Sequence, residues 1–188
     1  MRTKYRHTLL GMLAMFMLLP MSANAQSLAA NTDVLWDVAM SPNIGLEMTV
    51  ADQSTLQVNA ITSQKPYGQD VRFTAVQPEY RYYFSGRPMY KHFVGVCAMG
   101  ATYKTTIADK TYNGSGVGAG LTFGYVLPVT KRLNVDFHAG VVYAKYRQKE
   151  YFLNEEHAVN HAGYEEANAN GSYIMPARIG ISLSYILK

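Results

Sequence analysis

The sequence predicts an all-β protein, an eight-stranded antiparallel up-and-down barrel that crosses a membrane, and three observations carry that prediction. The C-terminal segment Arg178 to Lys188 alternates large apolar residues (Ile179, Ile181, Leu183, Tyr185, Leu187) with small or polar ones (Arg178, Gly180, Ser182, Ser184), the period-two pattern of a strand with one apolar and one polar face. The N-terminus has the parts of an export signal. After that signal no run of about 18 apolar residues occurs, so a chain that crosses a membrane must do so with strands closed into a barrel, which leaves no backbone group unpaired in lipid.

The signal occupies residues 1–25: a basic start (Arg2, Lys4, Arg6), an apolar stretch from Leu9 to Leu19, and small residues at Ala23 and Ala25. Cleavage is expected before Gln26, and because Gln26 is not a cysteine no lipid attachment site follows the cut. Removing the signal takes three basic residues from 17 Lys+Arg, leaving 14 against 13 Asp+Glu. The mature charge is therefore near zero, which argues against a nucleic-acid or polyanion binder, since that would keep a basic patch in its folded part. Residues 26–188 form one domain by length. With Cys97 alone no internal disulfide can form, so a core, a membrane or both must hold the exported chain.

Turn chemistry divides the mature chain into strands at about 31–40, 43–51, 54–64, 71–84, 90–104, 115–127, 132–147 and 172–187. An even count brings the first and last strands together for closure. Connections after strands two, four and six are short (52–53, 85–88, 128–131), whereas those after three, five and seven are longer, giving loops near 65–70, 105–114 and 148–171. Short turns on a periplasmic rim and long loops on the cell-surface rim are the pattern of outer-membrane barrels.

The outward set reads Ile44, Leu46, Met48, Val50 in strand two, Val117, Ala119, Leu121, Phe123, Tyr125 in strand six, and Leu133, Val135, Phe137, Val141, Tyr143 in strand seven. The opposite faces hold Gly45, Glu47, Thr49, then Gly116, Gly118, Gly120, Thr122, Gly124, then Asn134, Asp136, His138 and Gly140. A soluble lipocalin-like carrier would turn its charges outward, whereas here charges share a face with glycines, so the apolar face is assigned to lipid. Strand five is apolar on both faces and its orientation stays open. Tyr80, Tyr82, Phe84, Tyr125 and Tyr185 predict an aromatic girdle at the periplasmic rim; Tyr67, Phe73, Tyr103, Tyr112 and Tyr143 predict a second at the other.

The segments Leu35–Asp37, Ser41–Glu47, Gln77–Tyr82, Thr130–Asp136 and Gly180–Tyr185 together resemble a family of small bacterial outer-membrane barrels of unknown function, similar in build to the OmpA, OmpX and OmpW barrels. The resemblance implies eight strands and carries no known activity or catalytic residue. The C-terminal strand also looks like the signal read by the barrel-assembly machinery, with Arg178, Gly180, Leu183 and Tyr185 in the signal's places. It departs from the commonest form by running on through Ile186, Leu187 and Lys188 instead of ending on an aromatic residue.

Asp37, Glu47, Glu79, Arg81, Asp136, His138 and Arg178 fall on the predicted inner face. In a barrel narrow enough for side chains to fill, acids and bases from opposite walls should meet as a polar network that ties the walls together. In the last loop, His157 and His161 stand four residues apart among Glu155, Glu156, Glu165 and Glu166, a spacing that would share one helical face. HExxH is absent, and the segment reads as a solvated acidic loop, so no metal and no cofactor is expected. Gly114 to Ala119 nominally fits a dinucleotide fingerprint but lacks the strand-to-helix context, and neither His138 nor His92 has a nucleophile at its height. The expected role is structural or surface interaction without enzymatic activity. Its partners would be outer-membrane lipid, the assembly machinery and a surface protein or glycan. A narrow channel for small hydrophobic molecules and a soluble periplasmic lipocalin-like carrier are the alternatives.

Overall fold

A computed structural model of the chain describes residues 27–107, 110–152 and 169–188. The predicted signal (1–25) and His157 and His161 lie outside the described residues. Eight antiparallel strands close into a barrel in sequence order: β1 (Leu28–Asp33), β2 (Asn43–Ala51), β3 (Ser54–Gln64), β4 (Val71–Tyr83), β5 (Lys91–Ile107), β6 (Lys110–Pro128), β7 (Leu133–Phe152) and β8 (Ala169–Ile186), with β1 paired to β8. The fold class read from the alternation is the one observed.

The register fixes the shape. Starting at Ala29 and crossing strand by strand through Glu47, Gln57, Glu79, Cys97, Gly120 and Val142 leads to Met175 on β8. The direct β8 partner of Ala29 is Ile186, eleven positions along (186 − 175), and one of those is the extra residue of a bulge where Gly140 pairs Arg178 but Val141 pairs Pro176. The net stagger is ten. At about 3.3 Å per residue and about 4.8 Å between strands, that is about 33 Å of offset round about 38 Å of girth, a tilt of about 41°. Pro176 sits at the bulge, where a residue without an N–H is tolerated.

Three boundaries differ from the sequence reading. The first strand is not 31–40 but ends at Asp33, and Val34–Val38 form a short helix, α1. Asp33 is its N-cap, its Oδ1 accepting the Leu35 N–H at 3.0 Å, so the period-two pattern is broken by a side chain that rewards a helical turn. The predicted loop at 105–114 is largely strand: β5 runs to Ile107 and β6 begins at Lys110, the threonines Thr105, Thr106 and Thr111 continuing the ladder. Residues 148–152 and 169–171 of the last loop also extend β7 and β8. The wall formed by β5 to β8 therefore stands taller than that of β1 to β3.

Side chains alternate as the partition requires. Ile44, Leu46, Val117, Leu121, Phe123, Val141 and Tyr143 are exposed on the outside, while Glu47, Thr122, Asn134, Asp136 and His138 are buried inside. In β5 the orientation is now clear: Phe93, Gly95 and Cys97 face inward and Val94, Val96 and Ala98 outward. Aromatics gather outside at the rim that carries Leu28 and Lys188, where Tyr80, Tyr82, Phe84 and Tyr185 are exposed. The second girdle is not formed as expected. Phe73 and Tyr103 share the inward parity of Arg81 and Phe93 and line the lumen, which leaves Tyr143 as an outward aromatic at that level.

Candidate functional site

The lumen is the site, and its floor lies toward the rim of Leu28 and Lys188, where Tyr83, Phe93 and Val126 form a buried apolar cluster. Above them Arg81, fully buried, stands on the axis. Its Nη1 donates to Asp136 Oδ2 at 2.8 Å and lies 3.5 Å from Glu47 Oε2; its Nε is 3.1 Å from Glu79 Oε1; its guanidinium covers the Phe93 ring at 4.3 Å. Thus β2, β4 and β7 are tied through one side chain, a planar fork suited to several carboxylates at once. Each carboxylate has further donors. Glu47 Oε1 accepts from Thr55 Oγ1 at 2.6 Å and Tyr83 Oη at 2.8 Å, and Glu79 accepts from Thr122 Oγ1 and from Arg178 Nη1.

A second pair lies across β1 and β7, where His138 Nε2 is 3.0 Å from Asp33 Oδ2 and its Nδ1 is 3.6 Å from Asp136 Oδ1. Gly180 makes room for this pair: a Cβ there would collide with the Asp33 carboxylate. The β6 glycines serve the same end, since a Cβ on Gly124 would meet the Phe93 ring at 2.6 Å. A stripe of residues without side chains lets large charged groups from the other walls fill a narrow cylinder.

The structure brings together Glu47, Glu79, Arg81, Asp136, His138 and Arg178, six of the seven residues predicted for the interior. Asp37 is a correction. It is exposed on α1, where its carboxylate accepts from Thr32 Oγ1 at 2.6 Å and Asn43 Nδ2 at 2.9 Å, because the helical turn carries it off the strand and onto the rim. The inward acid of the first strand is Asp33, which sequence reasoning missed together with Thr55, Gln57 and Tyr83. Their parity on β1, β3 and β4 was the available signal. Of the predicted assembly residues, Arg178 and Gly180 point inward and Leu183 and Tyr185 outward. No group of three His, Cys, Asp or Glu able to hold a metal occurs among the described residues.

Above the charged layer the lumen opens into a cavity of about 230 Å³ that reaches the rim of α1. Trp36 of α1 closes over it and stacks edge-on against Phe73 at 5.8 Å, while Tyr67 Oη, from the 3-10 turn Pro66–Gly68, donates to Val38 O at 2.5 Å and joins the two rim segments.

Fold and interior define a class: a closed eight-stranded antiparallel barrel, charged within and apolar without. Residues 11–187 match the model of the family described as Protein of unknown function (DUF3575), and the chain belongs to that family. No curated protein and no solved structure matches it.

Proposed function

We propose that this chain is a small outer-membrane β-barrel protein of the OmpA, OmpX and OmpW kind, exported by residues 1–25 and inserted through the barrel-assembly machinery with a C-terminal signal at Arg178, Gly180, Leu183 and Tyr185. Its role is structural or one of surface interaction, without enzymatic activity, and its partners are outer-membrane lipid and a surface protein or glycan. The observation that carries this reading is the outward apolar band. On β7 it runs from Leu133 to Tyr143, ten steps of about 3.4 Å. At a tilt of about 41° this is about 26 Å, near the about 25 Å of a membrane barrel's apolar belt. Beyond Tyr143 the outward residues turn polar, with Lys145 and Arg147.

A soluble lipocalin-like carrier would need the inverse arrangement. An open pore through the axis is disfavoured by the charged layer and by the Tyr83, Phe93 and Val126 cluster beneath it. Cell fractionation followed by a gel with and without boiling tests the proposal. Recovery in the outer membrane with a heat-dependent shift in migration is expected; a chain found in the soluble fraction without detergent would refute it.

A further inference from the structure

Both ends of the lumen hold buried polar atoms without a hydrogen bond. Below, Arg81 Nε lies 3.1 Å from Glu79, and Asp136 Oδ1 and His138 Nδ1 lie 3.6 Å apart, whereas above, the donors Asn59 Nδ2 and Gln77 Nε2 belong to residues that line a cavity. Arginine can only donate, so Arg178 Nη1 at 3.4 Å from Gln57 fixes the Gln57 oxygen as acceptor. Gln57 Nε2 then donates to Asn59 Oδ1 at 2.9 Å, which leaves Asn59 Nδ2 as the end of the chain, buried with no acceptor. Gln77, more than nine-tenths buried, has no oxygen acceptor for its Nε2 and faces only the Cys97 thiol, a weak acceptor. Asn59 and Gln77 both line the cavity, and Trp36, Phe73, Met99 and Met175 supply its apolar wall. Two nearby acceptors are engaged: Asp33 takes the Leu35 N–H and His138, and Asn59 Oδ1 takes Gln57.

We infer that this cavity binds a small molecule with an apolar body and an uncharged carbonyl head, a ketone, ester or amide, whose oxygen accepts from Gln77 and Asn59. An unpaired buried amide donor costs about 1–3 kcal/mol, which such an oxygen relieves. A cationic head cannot pair with Gln77 or Asn59, whose spare groups are donors. An anionic head is disfavoured because Asp33, Glu47, Glu79 and Asp136 already outnumber Arg81, Arg178 and His138 in the lumen. At about 230 Å³ the space is below the about 300–1,000 Å³ of drug-sized sites, so the ligand is short. Methionine and aromatic walls suit a body of variable shape.

Trp36, the chain's one tryptophan, lines the cavity and reports on it directly. The protein in lipid nanodiscs is titrated with 2-octanone, octane, octanoate and octylamine while Trp36 emission is followed. A saturable change with 2-octanone is expected, at least tenfold tighter than with the other three, and weakened at least tenfold both in Gln77→Leu and in Ala75→Leu, which fills the cavity from β4. Absence of a saturable response to 2-octanone, equal binding of octane, octanoate or octylamine, or an unchanged titration in Ala75→Leu would each overturn the inference. The Ala75→Leu comparison separates binding from partition into the bilayer, and the ligand panel on the unaltered protein decides the matter if a variant fails to fold.

Discussion

The lower and upper halves of the lumen are built from the same alternation and yet do opposite things with it. Below, from Tyr83 to His138, the carboxylates meet arginine, histidine or hydroxyl donors drawn from other strands, and Phe93 and Tyr83 fill the space between them. Above, Trp36, Phe73, Met99 and Met175 line a cavity together with Asn59 and Gln77, whose amide nitrogens have no oxygen acceptor. Parity decides which face a residue takes, but the occupants of that face decide whether the lumen is a plug or a receptacle. The lower half trades desolvation for connections across the cylinder, a balance that a buried ion network holds only while every member is present.

Breaking that balance at its centre should have the largest consequence. Arg81→Ala removes the cation that Glu47, Glu79 and Asp136 share in a buried layer and should cost about 3–5 kcal/mol, read as a lower urea midpoint for the folded, heat-modifiable band. Arg81→Lys keeps the charge but loses the fork that spans three carboxylates, and it should recover only part of the loss. Gly124→Ala presses a methyl group against the Phe93 ring and the Phe137 carbonyl; a loss of about 1–3 kcal/mol is expected in the same assay, because backbone on one side leaves little room to yield. Tyr83→Phe removes one donor of Glu47 while Thr55 and Arg81 remain, and about 1.5–3 kcal/mol should disappear, toward the lower end since the carboxylate keeps other partners. Gln77→Leu sharpens the comparison from the other side. Deleting an unpaired amide in the upper half should leave stability unchanged or raise it by up to about 1 kcal/mol, whereas a loss comparable to that of Tyr83→Phe would mean that the two halves are equally satisfied.

Much of this arrangement is legible in the sequence because a strand's period is fixed at two. Once Glu47, Glu79, Arg81, Asp136 and His138 are placed on faces that carry glycine and small polar residues, closure of eight strands forces them together, and the structure places all five inside. What the pattern hides is where it is interrupted. The strand could run on past Asp33 or end there in a helix cap, and the cap wins, so Asp37 leaves the lumen while Asp33, the last residue of β1, meets His138 with its other carboxylate oxygen. Phe73 and Tyr103 fit a rim by composition, yet they lie on the inward parity of β4 and β5 and belong to the cavity wall. The cavity itself has no local signature, because its lining comes from residues far apart in the chain, among them the small Ala75 and Ala101 and a Trp36 placed by the cap at Asp33.

The central claim is that hydrocarbon covers the outward band. In a Trp36→Phe background, single tryptophans at Phe123, outward and exposed, and at Phe93, inward and buried, can be compared in bilayers whose acyl chains carry bromine. The account predicts strong quenching at position 123 and little at position 93; equal quenching at both, or none at 123, would contradict it.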